Sequence, residues 1–160
     1  MKYVEQVLQP GETVTYATSL HWLVYLRAIL LLILAISCLA AWEVVPEPAM
    51  DLPLKIGTAL LIVAAVLGLW GLMSGLSALI LRTTTELAVT DRRVIYKTGI
   101  FRRHSMEMNR SKVETVGVNQ SILGRILGYG TVVVRGTGGS FEPIPFIGEP
   151  LDFRSHITAG

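Results

Sequence analysis

Residues 23–42 and 56–81 form two long apolar runs, nearly back to back, with Arg27 the one charge inside either. Each is long enough to cross the ~30 Å hydrocarbon core of a bilayer as a helix of about 20 residues. The chain is therefore expected to span a membrane twice, and the remainder must fold at its surface. A cleaved signal is the weaker reading of the first run. It begins only after residue 22 with Lys2 the sole early base, a poor leader, although Ala35-Ile36-Ser37-Cys38 loosely resembles a lipoprotein processing site.

The charges give an orientation. The connector, residues 43–53, holds three acids, three prolines and no base, whereas Lys2 and Arg27 precede it and Arg82, Arg92 and Arg93 follow the second run. Basic residues stay on the cytoplasmic side, so both termini are expected there, in a cell inner membrane, with the connector outside. Trp22, Tyr25 and Trp42 fall near the ends of the first run, where aromatic rings prefer the interface. Arg27 is close enough to that end to snorkel to the headgroups. The second run carries Gly68, Gly71 and Gly75, with Gly71 and Gly75 spaced by four, as are Ala64 and Gly68. Such faces let helices approach closely. The plain reading pairs this face with the first helix of the same chain; a homo-oligomer joined through Gly71 and Gly75 is the further expectation.

From Arg82 the pattern changes to period two. Eleven Lys/Arg stand against seven Asp/Glu from there on, a net of +4 against +2 for the whole chain. Apolar alternation predicts strands over residues 85–90, 93–98, 101–108, 112–118, 131–135 and 140–146, with a tight turn at Asp91-Arg92 and a glycine-rich hairpin at 136–139. Residues 120–127 read as a short amphipathic helix, and a closing helix starts near Pro150. Residues 12–18, ahead of the first run, are one more strand available to complete a barrel, because small antiparallel sheets need closure to remove exposed edges. This divides the chain into an N-terminal segment (1–21), a helical hairpin (22–81) and a C-terminal domain (82–160).

Residues 84–99, residues 120–131 and the last hairpin with its helix, in this order after an apolar pair, resemble the bacterial pleckstrin-homology (PH) domain family. The resemblance is to its small membrane proteins with two helices before the domain. It implies an α+β membrane protein, a two-helix transmembrane hairpin carrying a seven-stranded antiparallel PH-like barrel capped by the C-terminal helix. It does not imply an activity, since such a fold hosts lipid binding, peptide binding and scaffolding. Phosphoinositide-binding members use a long basic first hairpin loop, and the turn from Thr90 to Arg93 is short for that role.

Nothing in the sequence assembles a catalytic centre. His21, His104 and His156 lack ligand spacing, Cys38 stands alone, and the glycine-rich 136–140 stretch lacks the Gly-Lys-Ser/Thr ending of a phosphate loop. The expectation is a non-enzyme with no cofactor, no metal and no nucleic-acid partner. Two candidate surfaces remain. Arg92, Arg93, Lys97, Arg102, Arg103 and Lys112, with Arg110 nearby, could meet anionic headgroups or a partner; ordinary solvated charges are an equal reading. Arg102 and Arg103 point to opposite faces of a strand, so not all can serve one patch. Ile122, Leu123, Ile126 and Leu127 form an apolar stripe, read first as cover for an open barrel end and second as a docking surface for bilayer or partner. The leading function is a membrane-anchored, non-catalytic binding or scaffolding module that docks a protein partner or another copy at the inner leaflet. The rival is an anionic-lipid sensor.

Overall fold

The computed structural model describes residues 2–44, 56–99, 103–137, 139–140 and 143–159. The chain divides into two compact units, residues 1–23 with 80–160, and residues 24–79. Residues 45–53 of the acidic connector lie outside the described residues.

The first unit is a discontinuous domain. It opens with α1 (Lys2–Val7) and β1 (Val14–Thr18), ahead of both apolar helices, α2 (Leu26–Val44) and α3 (Ile56–Thr84). It resumes with β2 (Glu86–Thr90), β3 (Arg93–Thr98) and β4 (His104–Asn109), giving an antiparallel sheet in the order β1-β2-β3-β4. Val14 stands opposite Thr90 and Thr18 opposite Leu87, so the early strand does join the domain. The second sheet follows, with β5 (Val113–Asn119), the short helix α4 (Ile122–Leu127) and β6 (Tyr129–Gly136). The strand expected over 140–146 is instead two pieces, β7 (Gly139–Ser140) and β8 (Ile144–Gly148), which share the far side of β6. Helix α5 (Pro150–Thr158) closes the chain, with its proline in the first turn where no N–H is missed.

The sheets do not close into the expected barrel. A 3-10 turn at Arg110–Lys112 turns the chain out of the first sheet, so β5 starts a new sheet instead of pairing with β4. On the opposite side the bridge between Leu20 and Ile147 joins the sheets, flanked by the His21 N–H donating to the Phe146 carbonyl at 2.6 Å. Between the sheets lies one core of Leu87, Val89, Val94, Val132, Val134, Ile144 and Ile147, into which α5 inserts Phe153 and Ile157.

The outer face of the first sheet is covered as well. Ala88 and Ile95 are buried beneath Val4 of α1, with Tyr3, Val7 and Leu8 packed around them. This helix has no counterpart in the sequence reading: six residues are too few to show a period, and a helix that short is held by tertiary contacts. Those contacts are visible. The Glu86 carboxylate accepts the Tyr3 and Val4 N–H groups at its N-terminus, and the Arg93 guanidinium donates to the Val7 carbonyl at its C-terminus, each charge matched to its end of the helix dipole.

In the second unit α2 and α3 run antiparallel. A Cβ built on Gly75 would lie 3.5 Å from Ala28, one on Gly71 3.0 Å from Leu32, and one on Gly68 3.9 Å from Ala35. The small-residue face meets α2 of the same chain, the plain reading of its spacing, because glycine lets the two backbones close together. The Arg27 guanidinium sits 5.4 Å above the Trp70 ring, a cation–π contact. Away from this seam the helices are apolar and exposed.

Candidate functional site

The basic residues do not converge. Strand register places the Asp91–Arg92 turn, Arg93 and Lys112 at one end of the sheets; Lys97, paired with Ser105, and Arg103, which precedes β4, lie at the other. Five or six strand residues, roughly 16–20 Å at ~3.3 Å each, separate the two groups. Arg93 is also spoken for. It bonds Glu12 through Nε and Nη2 at 2.9 and 2.8 Å and Glu107 through Nη1 at 2.6 Å. Those hydrogen bonds with Glu12, working against burial, hold the guanidinium above its ordinary pKa. Burial alone would push the Glu12 carboxyl up, but the bonds from Arg93, the Gln9 N–H and the Thr90 hydroxyl outweigh it and hold the group at about 2.

The remaining cations differ in freedom. Arg110 is turned inward and donates to the His156 and Ile157 carbonyls at the end of α5. Lys97 stands 5.8 Å from the Tyr3 ring centre. Arg92 is half exposed beside Asp91, and Arg103 and Lys112 are exposed. Arg102 lies outside the described residues. No group of His, Cys, Asp and Glu able to hold a metal occurs among the described residues.

The apolar stripe is largely uncovered among the described residues. Ile122, Leu123, Ile126 and Leu127 are 79, 64, 74 and 41% exposed. The helix that carries them is nevertheless firmly built. The Ser121 hydroxyl accepts the Gly124 N–H at 3.0 Å, and Gly128 ends the helix in the left-handed conformation, φ 72°, that a glycine adopts without strain. Gly124 forms the inner side, where a Cβ would meet the Tyr129 carbonyl at 2.7 Å. The Gln120 amide donates to that same carbonyl.

A third surface lies along the open sheet edges, which a half-open barrel leaves for self-association. β4 and β5 stand at the ends of their sheets. Their inward side chains, Met106, Met108, Val113, Val116 and Val118, pack on the core while remaining partly uncovered. A groove of about 210 Å³ lined by Glu107, Met108, Asn109 and Lys112 opens where the two strands meet.

Two antiparallel sheets of this order, with a C-terminal helix inserted between them, agree with one family. The family model for the bacterial PH domain matches residues 17–157. The chain belongs to that family. No curated protein and no solved structure matches it. The PH match begins inside β1 and runs through both apolar helices, in keeping with the discontinuous domain. The first two strands of this PH domain are thus joined by the whole helix pair. The short Asp91–Arg92 turn is its second hairpin, and the place of a long basic first loop is taken by apolar sequence.

Proposed function

We propose that this protein is a membrane-anchored, non-catalytic docking module whose PH domain offers an open strand edge to a protein partner, or to another copy, at the inner leaflet. The observation that carries the reading is that β4 and β5 each end a sheet and expose apolar side chains of the core beside those edges. An extended segment added to such an edge gains main-chain hydrogen bonds together with pockets for alternate side chains.

The anchor is supported by the two helices. Only 17% of the residues in the most apolar stretch of each are buried, whereas a core helix of a soluble protein would bury most of that stretch. Because β1 pairs with β2, the chain must leave the domain and return to it on one side of any bilayer. The bases flanking the helices favour the cytoplasmic side. Headgroup sensing has less behind it, since Arg93 and Arg110 are engaged internally and the other cations are divided between two ends.

A photo-activated cross-linker at Ser105 on β4 or Thr115 on β5, with Arg154 on α5 as the comparison, tests the proposal in native membranes. A discrete protein adduct from the edge positions that survives high salt is expected. Adducts to lipid alone, lost as salt screens exposed charges, would replace docking by the headgroup reading.

A further inference from the structure

We infer that α4 is an interfacial foot, a short helix that presses its apolar face into the bilayer surface and so fixes the tilt of the PH domain on the membrane. The inference rests on the reading that α2 and α3 cross that membrane. Four apolar side chains with this degree of exposure on one turn and a half of helix are unusual for a surface in water. They are not there through fraying, since both ends of α4 are capped and its inner side is pinned at Gly124 against the Tyr129 carbonyl.

Position identifies the occupant. Leu127 and Gly128 line a groove of about 300 Å³ together with His21, Trp22 and Arg82. Trp22 is where the chain leaves the domain for α2, and Arg82 is in the last turn of α3. The foot therefore stands at the same end of the domain as Trp22 and Arg82, where the chain leaves the domain and returns to it. Aromatic rings continue the surface: His21 lies 5.5 Å from Trp22 and 5.6 Å from Tyr129, which in turn lies 6.0 Å from Phe146. Trp22 and Phe146 are themselves exposed. Aromatic rings of this kind settle at headgroup depth. Exposed Arg125, in the last turn of α4, supplies a cation for lipid phosphate next to the apolar face. Apolar side chains flanked by aromatics and a base match the boundary between headgroups and acyl chains.

The test uses the full chain, with Cys38→Ala as background, reconstituted in phosphatidylcholine/phosphatidylglycerol vesicles. Single cysteines Ile126→Cys, Leu69→Cys and Lys112→Cys carry an environment-sensitive dye. Ile126 is 74% exposed, so the substitution leaves the fold intact. Leu69 reports on α3, and Lys112 lies at the opposite end of β5 from α4. Quenching of position 126 by lipids spin-labelled near the headgroup, with protection from aqueous iodide, is expected; position 112 should remain open to iodide. Iodide access at 126 equal to that at 112, with 69 still quenched by deeply labelled lipid, would overturn the foot and leave the spanning reading standing. Shielding of 126 from both quenchers would overturn it in favour of a contact with a second copy. Iodide access at 69 would overturn the spanning reading and the foot together.

Discussion

Glu12 and Arg93, 81 positions apart, are joined by a two-point ion pair with Nε–Oε1 at 2.9 Å and Nη2–Oε2 at 2.8 Å, and Glu12 is only 7% exposed. The pair ties the segment ahead of the first helix to the sheet that follows the second. Around it the Gln9 N–H and the Thr90 hydroxyl also donate to Glu12, so the carboxylate is fully used.

Replacing Glu12 with Gln leaves Arg93 half-partnered in a buried place. Loss of roughly 3 kcal/mol of domain stability is expected, the range for breaking a buried pair from one side. Chemical denaturation of detergent-solubilised protein measures it, with Glu5→Gln, an exposed acid on α1, as the variant that should change little.

The same pair sets an acid limit. The Glu12 carboxyl titrates at about 2 when folded against an ordinary 4.5. A lowered folded value means that its contribution is complete above pH 4.5 and is lost as the pH falls towards about 2. Thermal melts between neutral pH and about pH 3 should show this decline, and the slope should flatten in Glu12→Gln.

Gly124→Ala should unseat α4. Its Cβ would come within 2.7 Å of the Tyr129 carbonyl, a backbone atom that cannot swing aside. A cost of about 1–3 kcal/mol is expected, as for other forced overpacking. Ile126→Ser, on the exposed side of the same helix, should leave the melting temperature in detergent unchanged.

Gly71→Leu should disturb the helix pair within one chain. Its first side-chain carbon would fall 3.0 Å from Leu32, whereas at Gly75 the nearest atom is 3.5 Å away and alanine should be accepted. Size-exclusion with light scattering should give the same mass for wild type and Gly71→Leu, while the variant melts lower. A fall in mass would return this face to the contact between copies.

Much of the fold could be read because its determinants are local. Alternation marked the strands on either side of Asp91-Arg92, Pro150 marked a helix start, and Gly128 a helix end. The site was less legible because its determinants are distant. Arg93 reads as a free charge until Glu12 is placed beside it, and Val4 shows nothing of its full burial until Ala88 and Ile95 lie beneath it. The stripe on α4 has the spacing of a core-facing helix, and only the packing of Gly124 reveals that it faces outward. Closure of the barrel was illegible for a similar reason: Arg110, in the 3-10 turn where the chain leaves the first sheet, finds its carbonyl partners at the distant end of α5.

The interruption of the domain between β1 and β2 has a consequence for biosynthesis. β1 leaves the ribosome long before its neighbour β2, and at ~5–20 residues per second it waits for several seconds with Tyr16 and the far side of its ladder unpaired. In a spanning protein, both apolar helices must be threaded through the bilayer during that interval. A molecule that inserted one of them would strand β1 and β2 in different compartments and could never complete its core. If the two helices span a bilayer, assembly of the domain would thus depend on correct insertion of both, and misinserted copies would remain unfolded and open to proteolysis.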